Sequence, residues 1–222
     1  MNESYSVLYR AGASEETVKK SRFLSRAVPV SSEEGAAAVL DKIRKEHWDA
    51  NHHCYAFTLG PRGEICRSSD DHEPAGTAGR PILEVLLASG VRTALIVVTR
   101  YFGGILLGTG GLVRAYGSAA RKALENASLL QLTPGEEWTV RTEYPQLGAV
   151  QKLAKEKEYY LAKTEYGEKV LFDFYISHEQ LPGFLREIPD LTLGRAEMQK
   201  IRSLTFGLTD GALILPEDLP EY

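Results

Sequence analysis

The chain has 222 residues, of which 43% are hydrophobic and 25% charged, enough for two small cores and unlike disordered or membrane-spanning compositions. Residues 1–133 hold 16 Lys/Arg against 14 Asp/Glu (net +2), and residues 134–222 hold 10 against 16 (net −6). Neither half is a basic nucleic-acid footprint by charge alone, which leaves a local basic patch open. No apolar run reaches the roughly 20 residues of a bilayer span. The opening MNESYSVLYR lacks the basic start and apolar centre of a signal peptide. Two cysteines, Cys54 and Cys66, make no disulfide framework, so a reducing cytoplasm is expected.

Residues 4–10 alternate weakly, as an edge strand does, and a second extended stretch is expected over residues 23–30. "SSEEGAAAVLDKIRKEHWDA" reads as a helix. Ser31 and Glu34 fit a capping box, Ala37, Leu40 and Ile43 fall at helical spacing, and the acidic start and basic end suit the helix dipole. "HHCYAFTLG" and "GEICRSSD", separated by Pro61, Arg62 and Gly63, predict a hairpin. In the helical stretch "RPILEVLLASG", Thr77 is placed to cap, Pro81 suits the first turn and Gly90 the stop. "TALIVVTRYF" is a β-branched, nearly unbroken apolar run and predicts a strand buried on both faces. "GGILLGTGG" follows as a glycine loop and "LVRAYGSAARKALENA" as a helix.

"QLTPGEE" (residues 131–137) reads as a linker, punctuated by Pro-Gly. Beyond it come a strand ("EWTVRTEY"), a helix from Pro145, and two strands joined around Tyr166 and Gly167. A short helix weakened by Pro182 and a last strand ("LTLGRAEMQKIRSLTF") follow. That β-α-β-β-α-β order is the split arrangement of ferredoxin-like domains. The acidic tail "GLTDGALILPEDLPEY" either packs back or extends free.

Two glycine-rich stretches stand out. In "RSSDDHEPAGTAGRP", Asp70, Asp71 and Glu73 are close enough to suggest a metal or an acid–base pair, but three carboxylates fall short of a hard-cation site. The favoured reading has Asp70 and Asp71 hydrogen-bonding the loop's own backbone. Gly76, Thr77, Ala78 and Gly79 leave room beside helix-start N–H groups, which attract anions. In "TRYFGGILLGTGGLVRAYG", Gly103, Gly104, Gly108, Gly110 and Gly111 match neither the P-loop nor the dinucleotide spacing. Arg100 and Arg114 flank this loop and can approach one anion; alternatively the glycines only permit tight packing. His47, His52, His53 and Cys54 lack the second ligand pair of a zinc site, and a thiol in an apolar strand is inert. Tyr159, Tyr160, Phe172, Phe174 and Tyr175 suggest base stacking, but without the basic-aromatic motif of RNA-recognition sheets most are read as core.

"KKSRFLSRAVPV", "HHCYAF", "SDDHEPAGTAGRPIL" and "VVTRYFGGILLGTGGLVRAYG" together resemble the IMPACT family. The resemblance implies an α+β fold in two domains and an acidic tail. Residues 1–133 would form a domain like the second domain of ribosomal protein S5, with helices on one face of its sheet. Residues 134–206 would form a ferredoxin-like domain resembling the last domain of elongation factor G, and residues 207–222 the tail. His72 stands where many relatives have glycine; were positive φ needed there, histidine would be tolerated but not ideal. Eukaryotic relatives are linked to translational control through competition for a partner of a stress kinase, using an extra N-terminal interaction domain. The resemblance supplies no catalytic residue, and no cofactor or metal is expected.

The expected function is that of a non-catalytic, cytoplasmic binding protein linked to translation regulation. RNA, the ribosome or a translation-associated protein is the expected partner, and no membrane is. The candidate surface comprises Asp70, Asp71, Glu73, Gly76, Thr77, Gly79, Arg80, Arg100, Tyr101, Gly103, Gly104, Gly110, Gly111 and Arg114. In it Arg80, Arg100 and Arg114 meet phosphate, the glycines admit backbone and the acids order the loop. The alternative is a hydrolase or other enzyme acting on a small phosphorylated or peptide-like substrate in the same cleft. A third reading is a protein-interaction module whose acidic second half meets a basic partner.

Overall fold

A central apolar strand organises the first of two units, Tyr5–Gln131, into which the computed structural model divides; the second is Leu132–Asp218, and residues 3–219 are described. The first unit runs β1 (Tyr5–Arg10), β2 (Gly12–Val18), β3 (Ser21–Pro29), α1 (Glu33–Glu46), β4 (His52–Leu59), β5 (Ile65–Ser69), α2 (Gly79–Ser89), β6 (Val91–Arg92), β7 (Ala94–Tyr101) and α3 (Thr109–Glu125). Five of these strands form an antiparallel sheet in the order β2-β3-β7-β4-β5. β1 pairs in parallel with β6, Ser6 opposite Val91.

Strand β7 is apolar on both sides, and both sides are covered. Leu95 and Val97 pack with Val39, Leu40 and Ile43 of α1. Ile96 and Val98 pack with Ile82 and Leu86 of α2 and Tyr116 and Ala119 of α3. The expectation of helices on one face is thus corrected. Apolar side chains alternate to opposite faces of a strand, so an unbroken run needs cover on both.

The strand β2 was not legible, because "GASEETV" combines glycine with two acids, both poor strand formers. It is held as a hairpin partner of β3 across the two-residue turn Lys19 (φ 45°) and Lys20 (φ 68°). Such turns favour Asn-Gly, because side chains larger than glycine are strained at positive φ. The double substitution Lys19→Asn/Lys20→Gly is expected to stabilise the unit by about 1 kcal/mol and raise its melting midpoint by roughly 2–4 °C. Thermal melts of the two proteins check this; an unchanged or lower midpoint refutes it.

Helix α1 is capped by Ser32, whose Oγ accepts from Gly35 N at 2.9 Å, one residue past the expected Ser31. Helix α2 starts without a side-chain cap at the adjacent Ala78, and Thr77 instead donates its hydroxyl to the Pro74 carbonyl at 2.6 Å. Gly90 ends α2 in the left-handed region, as its position predicts.

The second unit follows the β-α-β-β-α-β order. β8 (Ser128–Thr142) leads through a short turn (Tyr144–Gln146) to α4 (Leu147–Glu156), β9 (Tyr160–Tyr166), β10 (Val170–Ser177), α5 (Leu181–Leu191), β11 (Glu197–Thr209) and β12 (Ala212–Ile214). Its strands lie antiparallel in the order β9-β10-β8-β11-β12. The expected linker at residues 131–137 is strand backbone within β8. Gly135 is needed there because a Cβ would stand 2.3 Å from the Ile176 carbonyl oxygen. Pro182 lies in the first turn of α5, where its missing N–H is not needed, so it does not weaken the helix. The tail expected from residue 207 begins inside β11 and turns back, Gly207 pairing opposite Ile214; residues 220–222 lie outside the described part.

Phe172, Phe174 and Tyr159 are buried in the core with Val150, Phe184 and Ile188. Tyr175 makes edge contacts with Tyr160 and Phe206. Elsewhere on this sheet polar side chains pair with one another, Arg202 with Glu137 at 2.7 Å and Thr139 with Asp173 at 2.8 Å. No helix among the described residues is long and apolar enough to cross a membrane.

Candidate functional site

The turn between β5 and α2 is built on one carboxylate. Asp70 Oδ1 accepts from the N–H groups of Ala78 (2.9 Å) and Gly79 (2.8 Å), and Oδ2 accepts from Gly76 N (2.8 Å). Burial pushes this carboxyl up, but the three backbone donors outweigh burial and hold it below the usual carboxylate range. Asp70 therefore bonds its own loop, as expected, with a further consequence. The α2 amides expected to attract an outside anion are taken by the chain's own carboxylate.

Gly79 is a packing residue, since a Cβ there would lie 2.7 Å from the Ser69 backbone. Gly76 supplies a positive φ of 75°. Asp71 (φ 39°) and His72 (φ 69°) are also left-handed. Asp71 does not bond its own loop: its Oδ2 accepts from His53 N in β4 at 2.6 Å, with Arg44 3.7 Å from its other oxygen.

Below this turn lies a buried polar cluster. Glu73 Oε1 accepts from Arg100 Nη1 at 2.5 Å and from the Tyr116 hydroxyl at 2.7 Å. Arg100 Nη2 donates to Ser21 Oγ at 3.2 Å, and the same hydroxyl oxygen accepts from Gly103 N at 3.1 Å. The Arg100 guanidinium lies 5.4 Å from the centroids of both the Phe23 and Phe102 rings, and its Nε has no acceptor among the described residues. Arg100 is 4% exposed and Glu73 8%. Arg100 is thus not the outward phosphate ligand expected of it. A guanidinium at the end of a central buried strand is stable only when paired, and Glu73 pairs it.

The remaining neighbours limit the chemistry. His52 Nδ1 lies 2.9 Å from the Asp71 carbonyl, an acceptor, so Nδ1 carries the hydrogen and Nε2 faces Glu73 at 3.7 Å. Cys54 donates its thiol to the Asp70 carbonyl at 3.0 Å, and burial raises its ionisation far above the ordinary thiol range. A neutral buried thiol is no nucleophile. Burial likewise raises Tyr116, assisted by Cys54 and Glu73. Burial lowers His53, whose Nδ1 lies 3.1 Å from Thr99 Oγ1. Among the described residues no group of three or more His, Cys, Asp and Glu is arranged to hold a metal ion.

The two glycine loops meet. Glu73 and Pro74 of one, and Phe102, Leu106, Leu107, Gly108 and Thr109 of the other, line a cleft of about 380 Å³ with His52, Arg100 and Leu112. Gly103 is pinned against the strained hairpin turn, where a Cβ would stand 2.1 Å from the Lys20 carbonyl. Gly104 (φ 80°) and Gly108 (φ 73°) turn the chain through conformations that favour glycine. Leu106 is 82% exposed, and Phe102 and Ile105 are also exposed. Helix α3 has Gly108 at its N-cap and no side-chain cap, and a Cβ on Gly110 would meet nothing within 4 Å. At Gly111 a Cβ would crowd the Leu107 side chain at 3.0 Å.

The other expected residues lie off the cleft lining. Arg80 is exposed and pairs with Glu84 at 3.1 Å; Arg114 is exposed and donates to the Gly110 carbonyl at 3.1 Å. Thr77 is buried, and the Tyr101 hydroxyl lies between His47 Nδ1 (3.0 Å) and Asp49 Oδ1 (3.2 Å). Sequence reasoning missed Ser21, His52, Tyr116 and the leucines. Tyr116 reads as an ordinary core position of α3, but the apolar loop "YFGGILLG" was a visible signal of an exposed apolar surface.

The comparisons agree with this architecture. A family model described as the Impact N-terminal domain matches residues 19–124, which include both glycine loops, and one described as a domain of unknown function (DUF1949) matches residues 140–195. The IMPACT family member YvyE of Bacillus subtilis is 36% identical over 200 residues, 90% of this chain and 92% of its own. The IMPACT family member YigZ of Escherichia coli is 38% identical over 188 residues, 84% and 92% of the respective chains. A crystal structure of a hypothetical protein, 36% identical, superposes with a TM-score of 0.58 over 91% of this chain and 99% of its own. With the glycine loops inside one matched segment and two full-length bacterial relatives above 30% identity, the chain belongs to the IMPACT family.

Proposed function

We propose that the protein is a non-catalytic binding protein of translational regulation, which engages RNA, free or in the ribosome, through the loop surface of its first unit. The observation that carries this reading is the meeting of the two glycine loops in one cleft, where the uncapped start of α3 lies beside exposed Phe102 and Leu106. Helix-start amides favour phosphate, and an exposed aromatic ring offers a stacking face for a base. Arg80 and Arg114 project from the two helices that follow the loops and offer exposed guanidinium groups, held only by surface bonds, to backbone phosphates. Membership of the IMPACT family supports the translational part of the reading.

The bonds inside the cluster favour binding over catalysis. Glu73 Oε1 is occupied by Arg100 and Tyr116, and the Cys54 thiol is held neutral. An enzyme acting on a small phosphorylated or peptide-like substrate needs a group free to take a proton or attack, and neither Glu73 Oε1 nor the Cys54 thiol supplies one.

Binding of short RNA and of ribosomes should be measured over a salt titration for the wild type and for Arg80→Ala/Arg114→Ala. The wild type is expected to bind with a steep salt dependence, and the double variant to flatten the log–log slope by about 1–2. Equal affinity and equal slope for both proteins would remove this surface from the function.

A further inference from the structure

We infer that the cleft is a subsite for a phosphomonoester carried on a nucleoside, either the 5′ end of an RNA or a free nucleotide; this rests on the RNA reading above and deepens it. Three observations converge. First, α3 is a 17-residue helix whose start has no side-chain cap, whereas the start of α2 is satisfied by Asp70. The two helix starts of this loop surface therefore differ in what they can take, and only the α3 start is left to an outside anion. Second, Arg100 lines the same cleft, is 4% exposed, and holds a buried Nε without an acceptor. A buried donor left unpaired is uncommon in a native fold and calls for an explanation, which a ligand oxygen would supply. Phe102, whose ring flanks the guanidinium, lines the same cleft and is 43% exposed. Third, the walls are apolar: Phe102, Leu106, Leu107 and Leu112 with Pro74. The cleft's size, about 380 Å³, lies at the small end of ligand pockets.

An anion on an apolar or aromatic body fits this lining better than a bare ion. A monoester is favoured over a chain phosphodiester because it carries more charge and three terminal oxygens, matching a fan of helix-start amides with one guanidinium donor. The carboxylate in the wall does not oppose it, since Glu73 is paired with Arg100 and bonded by Tyr116.

The test uses the intact chain and four probes: one short RNA with a 5′-phosphate, the same RNA with a 5′-hydroxyl, a nucleoside monophosphate and the nucleoside. The wild type is expected to bind the phosphorylated member of each pair at least tenfold more tightly. Gly110→Asp should abolish that preference, because it sets a carboxylate at the α3 start. Open space surrounds Gly110, and an acid in a first helical turn favours the helix, so the variant should remain folded. Gly148→Asp, likewise open and in the first turn of α4, is the control and should keep the preference. Equal affinities within both pairs, or a preference that survives Gly110→Asp, would overturn the inference. If equal affinities accompany steep salt-dependent RNA binding, the subsite falls and the RNA reading stands. Monophosphate binding without RNA binding would keep the subsite and sink the RNA reading.

Discussion

Arg100→Met is expected to destabilise the first unit by about 3–5 kcal/mol, the cost typical of removing one member of a buried ion pair. Methionine fills much of the same volume between Phe23 and Phe102 but leaves Glu73 without its cation, retaining only the Tyr116 hydroxyl and the more distant His52. Adding Glu73→Gln should recover part of the loss, because a neutral amide is less costly to bury than an unpaired carboxylate. Urea denaturation of the wild type, both single variants and the double variant closes the cycle. A loss below about 1 kcal/mol for Arg100→Met would show that the pair does not hold this unit together. The same result governs how binding data are read. An Arg100 variant that loses RNA binding has lost part of the cleft wall, so Arg80 and Arg114 are the informative positions.

Asp70→Asn is expected to cost about 2–3 kcal/mol at neutral pH. One carboxylate accepts three backbone N–H groups, and the two leading into α2 share one oxygen. Asparagine keeps a single acceptor and points an N–H₂ group at the remaining donor or donors. The loss is tied to charge and therefore to pH. The folded carboxyl ionises below its ordinary range: burial opposes ionisation, and the three donors overcome it. A depressed carboxylate contributes stability that is fully present above its unfolded pKa, near 3.9, and is lost as pH falls through the folded value. The difference between wild type and Asp70→Asn should therefore be largest near pH 7 and shrink below about pH 4. Denaturation midpoints at pH 7 and pH 3 measure it, and a pH-independent difference would refute the capping role.

Much of the fold was legible, for identifiable reasons. The run "TALIVVTRYF" reads as a doubly buried strand because its apolar residues do not alternate, and it lies at the centre of the five-stranded sheet. Gly90 reads as a helix stop because the left-handed region favours glycine. The second unit's element order follows from its alternation of strand and helix periods. Less was legible in the candidate site. The glycine loops were recognisable, but Asp71 and Arg100 take roles other than those expected of them. In the sequence both belong to loop surfaces, but Asp71 accepts from His53 N across to β4 and Arg100 is buried against Glu73.

The sequence by itself determined the order of strands and helices, the two glycine loops and the family, because periodicity, turn chemistry and motif spacing are short-range properties of the chain. Only the tertiary structure decided which charges are spent internally. Glu73 meets Arg100 across 27 residues and Tyr116 across 43, and Asp70 caps a helix that starts nine residues later. Such partners are selected by proximity in space, and a pattern of period 2 or 3.6 carries no information about that.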